Sequence, residues 1–280
     1  MNKNIKTGIA AILAASSLDL TGCSSKDNSD EQNITTVKVG VVGEYNDHWD
    51  TVNDILAKDN IKVELVKYSD YVAPNRALSD GDIDLNSFQH KAFLANEIET
   101  LGYELTDIGD TLIAPLALFN NKERISSVAD IKDGDTIAIP SDLTNGGRAL
   151  KLLEAAGLIE CDPAAGYVPT KADITKYNVK IEILEAESSN LANLLPDCAG
   201  AVINGGNAFT AGLNPVNDSI FIEDVDPNTN PAVAQLVNVI VCRTEDKDNP
   251  VYQKIVSAFH TDEVRRTVAE AFDNAYICAW

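Results

Sequence analysis

A chain of 280 residues, 45% of them hydrophobic, can bury a substantial core and suits two lobes of ordinary domain size. Its 22 lysines and arginines stand against 43 aspartates and glutamates, and the resulting charge of −21, with no basic stripe to offset it, argues against a nucleic-acid partner. A zwitterion feels little net force from such a field, whereas an anionic ligand needs a local cation.

The chain opens on a targeting segment, residues 1–23. Lys3 and Lys6 precede the apolar run from Ile9 to Ala15, which is too short to span a bilayer. Leu20-Thr21-Gly22-Cys23 closes the segment and resembles a bacterial lipobox, in which small residues admit the signal peptidase and the Cys23 thiol takes a diacylglyceryl group. Two acyl chains, at about 0.8 kcal/mol per buried methylene, hold such a protein on the membrane. Residues 24–35 read as a polar, acidic, disordered tether, so the folded part begins near Thr36.

Residues 36–42 alternate apolar and polar and are rich in valine, which predicts a strand; 48–58 has helical spacing and 61–66 is again a strand. A short helix over 74–81, a strand over 83–85 and a helix over 88–101 follow. The apolar run 112–119 predicts a buried strand with Pro115 at an edge or a crossing point. A second α/β unit comprises strands at 136–140, 179–184 and 200–203 and a helix over 145–156, with 235–241 as a return strand. From Pro250 the tail is helical, with Val251, Ile255 and Phe259, then Val264, Val268 and Phe272, on one face. The economical architecture has two α/β lobes joined by two strands, lobe I being 36–118 plus 244–280 and lobe II 119–243.

Ligands of open α/β sheets sit off the C-terminal ends of strands, and four polar groups stand there. The first is Asn86-Ser87-Phe88-Gln89-His90, where His90 lies near Phe88 and Phe93 with Tyr71 upstream: a cage for a sulfur-sized apolar group with one polar handle. In the second, Ser141 to Arg148, glycines offer backbone approach, first-turn N–H groups favour an anion, and the Arg148 fork can hold a carboxylate bidentately. The plain alternative is a capped helix start with a solvated arginine. The third, Asn204-Gly205-Gly206-Asn207, can present the Asn204 amide oxygen to an ammonium, or be an ordinary polar turn. The fourth, Asn238, is polar within an apolar run, so its amide meets either a ligand or a crosslinking backbone.

Other chemistries lack their residues. His48, His90 and His260 are the only histidines and none pairs with an acid at ligand spacing, so no metal is expected. The chain contains no Gly-x-Ser-x-Gly, no His-Glu-x-x-His and no evident Cys–His pair, so neither an enzyme nor a cofactor is expected. Cys161, Cys198, Cys242 and Cys278 fit no zinc pattern; an export signal permits disulfides in any of three full pairings, with buried free thiols as the preferred reading.

Taken together, Asp70-Tyr71-Val72-Ala73-Pro74-Asn75, Phe88-Gln89-His90, Ile139-Pro140-Ser141-Asp142, Asn145-Gly146-Gly147-Arg148-Ala149-Leu150 and Ala201-Val202-Ile203-Asn204-Gly205 closely resemble the NlpA/MetQ family of methionine-binding lipoproteins. The resemblance runs from Val37 to Trp280 in order. It implies an α/β, two-lobed, periplasmic-binding-protein-like (type II) Venus flytrap. Such a protein, lipid-anchored on the extracytoplasmic face of the membrane, hands L-methionine or a close analogue to an ABC importer permease. The family's pocket falls on Tyr71, Phe88, His90, Arg148, Asn204 and Asn238, to which the local reading adds Phe93 and Asn145. Phe93 stands where the family commonly has tyrosine, and Gly206-Asn207 replaces an Asn-aromatic pair, so a methionine-containing dipeptide is the alternative ligand.

Overall fold

Two five-stranded sheets organise the computed structural model, which describes residues 34–280. The targeting segment, Cys23 and nearly all of the tether lie outside the described residues. β1 (Thr35–Val42) buries Val37, Val39 and Val41, as its valine-rich alternation requires. α1 (His48–Leu56) leads through a 3-10 turn into β2 (Ile61–Tyr68), which pairs parallel to β1 along its whole length. α2 (Ala73–Asp80) has Pro74 in its first turn and stops at Gly81, whose φ of 82° only glycine adopts freely. β3 (Leu85–Asn86) adds to the other side of β1, and α3 (Lys91–Leu101), β4 (Leu105–Asp110) and β5 (Leu112–Ile113) follow.

The predicted strand 112–119 breaks at Ala114-Pro115, and β6 (Leu116–Asn120) enters the second sheet. Pro115 has no N–H for a ladder, which suits it to the crossing. The second lobe runs β7 (Thr136–Pro140), α4 (Leu143–Ala155), β8 (Ile159–Cys161), β9 (Ile174–Tyr177), β10 (Glu182–Ala186), α5 (Leu191–Leu194), β11 (Gly200–Asn204), α6 (Gly205–Thr210) and β12 (Ser219–Ile222). The chain returns through α7 (Val233–Leu236) and β13 (Val239–Arg243), then ends in α8 (Pro250–Phe259), α9 (Asp262–Ala271) and β14 (Ile277–Cys278), which pairs with β5.

The strand orders are β2-β1-β3-β13-β4 and β10-β7-β11-β6-β12. Each sheet thus has three parallel strands, then an antiparallel strand delivered by the other half of the chain, then a last strand. By sheet membership β6 belongs with the second lobe and β13 with the first, so the crossings come several residues earlier than the expected 118/119 and 243/244. An unbroken apolar run gives no sign of where a strand changes sheets. Helices cover both faces of each sheet: in β11, Val202 packs into one cluster while Ala201 and Ile203 pack into the opposite one. That is why these strands read as continuous apolar runs.

Three further boundaries differ from the pattern. The helix expected from 88 starts at Lys91, because Ser87 N–H bonds Gly40 O and Val239 N–H bonds Gln89 O, keeping that stretch extended. The return strand starts at Val239, preceded by the single turn α7, so Asn238 stands before the strand. The tail helix divides at Thr261, whose hydroxyl caps α9 by accepting from Val264 N–H. β4, β8, β9, β12, β14 and the short helices α5, α6 and α7 have no counterpart in the sequence reading. All four described cysteines are free, three of them buried.

Candidate functional site

Between the two sheets lies a cavity of about 110 Å³, and all eight residues singled out from the sequence line it. The first lobe contributes an aromatic wall. Tyr71, just past β2, stacks on Phe88 with ring centroids 6.0 Å apart, and Phe93 meets both edge-on at 6.1 and 6.2 Å. These offset and edge contacts are the favoured geometries for rings, and they leave π-faces and edges available to a thioether.

His90 is the N-cap of α3: its Nδ1 accepts from Phe93 N–H at 3.1 Å, and its Nε2 lies 3.2 Å from Asn145 Oδ1. Asn145 Nδ2 donates to both carboxylate oxygens of Asp142, so its Oδ1 is the accepting atom and His90 Nε2 carries the proton. The imidazole is therefore neutral with both nitrogens engaged. Burial pushes its pKa down to about 3, and the nearby Arg148 charge adds to the effect. With no free lone pair, His90 cannot serve as the base of a nucleophilic enzyme.

The second lobe contributes amides and one cation. Asn204, at the end of β11, donates from Nδ2 to Asn145 Oδ1 at 2.8 Å, while its own Oδ1 is buried with no partner among the described residues. Such an acceptor costs free energy unless something donates to it, and here it belongs to a residue that lines a cavity. Asn207 Nδ2 donates to the Tyr71 hydroxyl at 3.1 Å, giving a second bridge between the lobes beside His90–Asn145. Burial raises the Tyr71 pKa, which keeps the phenol neutral.

Arg148 departs from expectation. Its Nε and Nη2 form a two-point pair with Glu223 at 2.6 and 2.5 Å, and Nη2 also reaches Ala114 O at 2.9 Å. The fork that the sequence reading reserved for a ligand carboxylate is thus closed on Glu223, leaving Nη1 without a partner among the described residues. The glycines beside it also differ in purpose. A Cβ on Gly147 would sit 2.6 Å from Val168 Cα, and one on Gly146 would sit 2.9 Å from Pro140 O. They allow close backbone packing and do not line the cavity. Nor is the start of α4 open to an anion, since the Asp142 carboxylate already accepts from Asn145 N–H at 2.9 Å.

Asn238 crosslinks the crossing segment through its main chain, and its side chain stands at the cavity. Its N–H bonds Leu112 O, its carbonyl accepts from Thr111 N–H, and its half-buried side chain lines the cavity. Behind the aromatic wall Asn75, Asn86 and Gln89 form a buried amide network, with Gln89 Nε2 donating to Asn75 Oδ1 at 2.6 Å and Asn86 Oδ1 at 3.0 Å. It fixes the extended stretch that presents Phe88 and His90. Sequence reasoning gave no site role to Glu223 or His48 and named Asn207 only as part of the turn after Asn204. His48 lines the cavity with Nδ1 buried and unpartnered, and burial pushes its pKa down to about 4. Its place two residues after Asn46, off the end of β1, was the one available signal.

Two sheets of matching order, two crossing segments and a cavity at the strand ends define a two-lobed, periplasmic-binding-protein-like fold of type II. The chain belongs to the NlpA lipoprotein family, whose model matches residues 37–280. It is 38% identical over 279 residues to the D-methionine-binding lipoprotein MetQ of Salmonella typhimurium, covering 98% of both chains. Among solved structures it resembles a nutrient-binding protein from Burkholderia cenocepacia bound to methionine, with 32% identity, TM-score 0.80 and coverage of 87% of this chain and 100% of the other. It also resembles the substrate-binding protein of a methionine transporter from Streptococcus pneumoniae, with 33% identity, TM-score 0.81 and coverage of 88% and 96%.

Proposed function

We propose that this chain captures methionine in the cavity between its lobes and delivers it to an ABC importer permease, held on the extracytoplasmic face of the membrane by a lipid on Cys23. The observation that carries the reading is Asn204 Oδ1, a buried acceptor without a donor, opposite a wall of three aromatic rings. The α-ammonium supplies the missing donor, Arg148 Nη1 and Asn238 meet the carboxylate end, and the thioether lies against Tyr71, Phe88 and Phe93. Methionine has about 9 non-hydrogen atoms, so the ceiling near 1.5 kcal/mol per atom permits nanomolar binding only if closure buries nearly all of it. The bridges His90–Asn145 and Tyr71–Asn207 suit that closure.

Calorimetric titration with L-methionine, D-methionine and L-leucine tests the ligand. Either enantiomer of methionine binding at least about tenfold more tightly than leucine supports the reading; equal affinities sink the aromatic-cage argument. The anchor is tested by fractionation: Cys23→Ala releases the protein from membranes, and retention after a high-salt wash overturns the lipid assignment. No helix among the described residues is long and apolar enough to cross a membrane.

A second reading, a methionine-containing dipeptide, has one observation in its favour. The cavity continues past Gly205 and Gly206 to His48, and a Cβ at Gly206 would meet only the Tyr276 hydroxyl, at 3.8 Å. Glycyl-methionine binding more tightly than methionine favours this reading. A Gly206→Asn substitution then weakens the dipeptide selectively.

A further inference from the structure

Among the side chains lining the cavity, Arg148 alone carries a permanent charge. Its partner Glu223 lies just behind, and the side chains of the two are 7% and 10% exposed, so the pair is a buried unit rather than a surface contact. Glu223 is itself fixed. It follows β12 directly, its N–H donates to Leu116 O at 2.9 Å, and its Oε2 accepts from Leu116 N–H at 3.1 Å. Arg148 in turn donates to Ala114 O, so both members are tied to the segment that crosses between lobes. The carboxylate therefore has no freedom to swing away when a ligand arrives. Every other polar group on the cavity wall is an amide, a hydroxyl, a phenol or an imidazole.

We propose that Glu223 sets the charge specificity of the site: by cancelling Arg148 in place it makes the cavity electrically neutral and restricts it to ligands without net charge. A zwitterion entering such a site leaves no uncompensated buried charge. A monoanion or monocation leaves one, and burying an unpaired charge is among the most costly events in a protein interior. The Arg148 guanidinium then acts as a hydrogen-bond donor that orients a carboxylate, not as the counter-charge that would draw anions in. Glu223 touches the ligand only through Arg148, so it is a positioning and specificity-determining residue. The inference rests on the methionine reading above and adds to it the rule by which charged analogues are refused.

The test is a charge series measured by calorimetry at pH 6: L-methionine, methioninamide with its net positive charge, and 4-(methylthio)butanoate, which lacks the ammonium and is no larger than methionine. In the wild-type protein the amide and the acid lose comparable affinity, within about tenfold of each other; a preference for the acid of about a hundredfold marks an uncompensated Arg148 and overturns the proposal. In Glu223→Gln, which keeps the shape and an acceptor for Arg148, the preference for methionine over the acid shrinks at least about tenfold. A merely structural role weakens all three ligands in parallel and leaves that ratio unchanged, which also overturns it. The wild-type comparison stands whether or not the variant folds. Methionine failing to bind the wild-type protein sinks the functional reading and this inference together, whereas methionine binding with the wrong ratios sinks this inference alone.

Discussion

The two lobes share one strand order yet supply opposite chemistry to the cavity between them. The first contributes rings and a neutral imidazole from the segments just past β2 and β3 and from the first turn of α3, with the Asn75–Asn86–Gln89 network behind them. The second contributes amides and a guanidinium, two of them aimed by a carboxylate outside the cavity: Asp142 holds Asn145 and Glu223 holds Arg148. The difference separates two tasks. On the proposed reading the aromatic lobe meets the ligand's side chain and the polar lobe its head group, so that neither lobe alone would recognise the whole ligand. Closure is itself part of recognition.

The largest effect expected from breaking this division is that of Arg148→Ala. It leaves Glu223 buried and unpaired, and removing one partner of a buried pair costs about 3–5 kcal/mol of stability, in addition to the lost ligand contact. Thermal unfolding without ligand and calorimetry with methionine read the two losses separately. An unchanged midpoint would show that the pair does not support the second lobe.

Asn204→Ala should act mainly on binding. Its Oδ1 has no partner to lose, so the ligand-free protein forfeits only the bond to Asn145, about 1 kcal/mol, while methionine loses a charged hydrogen bond worth about 1.5–3 kcal/mol. Equal losses of stability and affinity would contradict an ammonium contact there.

Acid should act on the first lobe, where both buried imidazoles stand. The folded-state pKa values of His48 and His90, about 4 and about 3, lie below the ordinary 6.5, so the unfolded chain binds more protons between those limits. Stability is therefore fully present above about pH 6.5 and falls as the pH drops toward 4. A fall in melting temperature between pH 6.5 and 5, made shallower by His48→Phe, is the expected record; a flat profile over that interval removes the histidine contribution. Affinity at the cavity should stay level from pH 8 to 6, because His90 remains neutral throughout.

The smallest effect sharpens the aromatic side. Phe93→Leu keeps an apolar surface but removes an edge-on ring, and sulfur–aromatic contacts contribute about 0.3–1.5 kcal/mol. Methionine should weaken by that amount while leucine changes little, so that the ratio of the two affinities narrows. A parallel loss for both ligands would assign Phe93 to packing alone.

Much of the site was legible because its residues follow strands whose patterns are local. Tyr71 after 61–66, Phe88 and His90 after 83–85, and Asn204 after 200–203 can each be placed by counting from an apolar run. Other assignments needed the fold. The Gly146-Gly147 pair suggested a ligand cradle, yet its neighbours are Val168 and Pro140. The run 112–119 looked like one strand, yet it feeds two sheets. Glu223 carried no signal at all, being one carboxylate among 43 acidic side chains and lying just beyond a strand that the pattern did not reveal.

The sequence by itself determined much of the alternation of strands and helices and which side chains stand at strand ends, since each depends on residues a few positions apart. Only the tertiary structure decided that Arg148 is paired with a carboxylate 75 residues away, that His90 Nε2 donates a hydrogen bond to Asn145 Oδ1 across the cleft, and that Asn204 Oδ1 is left without a donor among the described residues. Hydrogen-bond partnership in a buried site depends on which atoms remain once every neighbouring donor and acceptor has been matched, and that matching exists only after the two crossing segments have brought the lobes together.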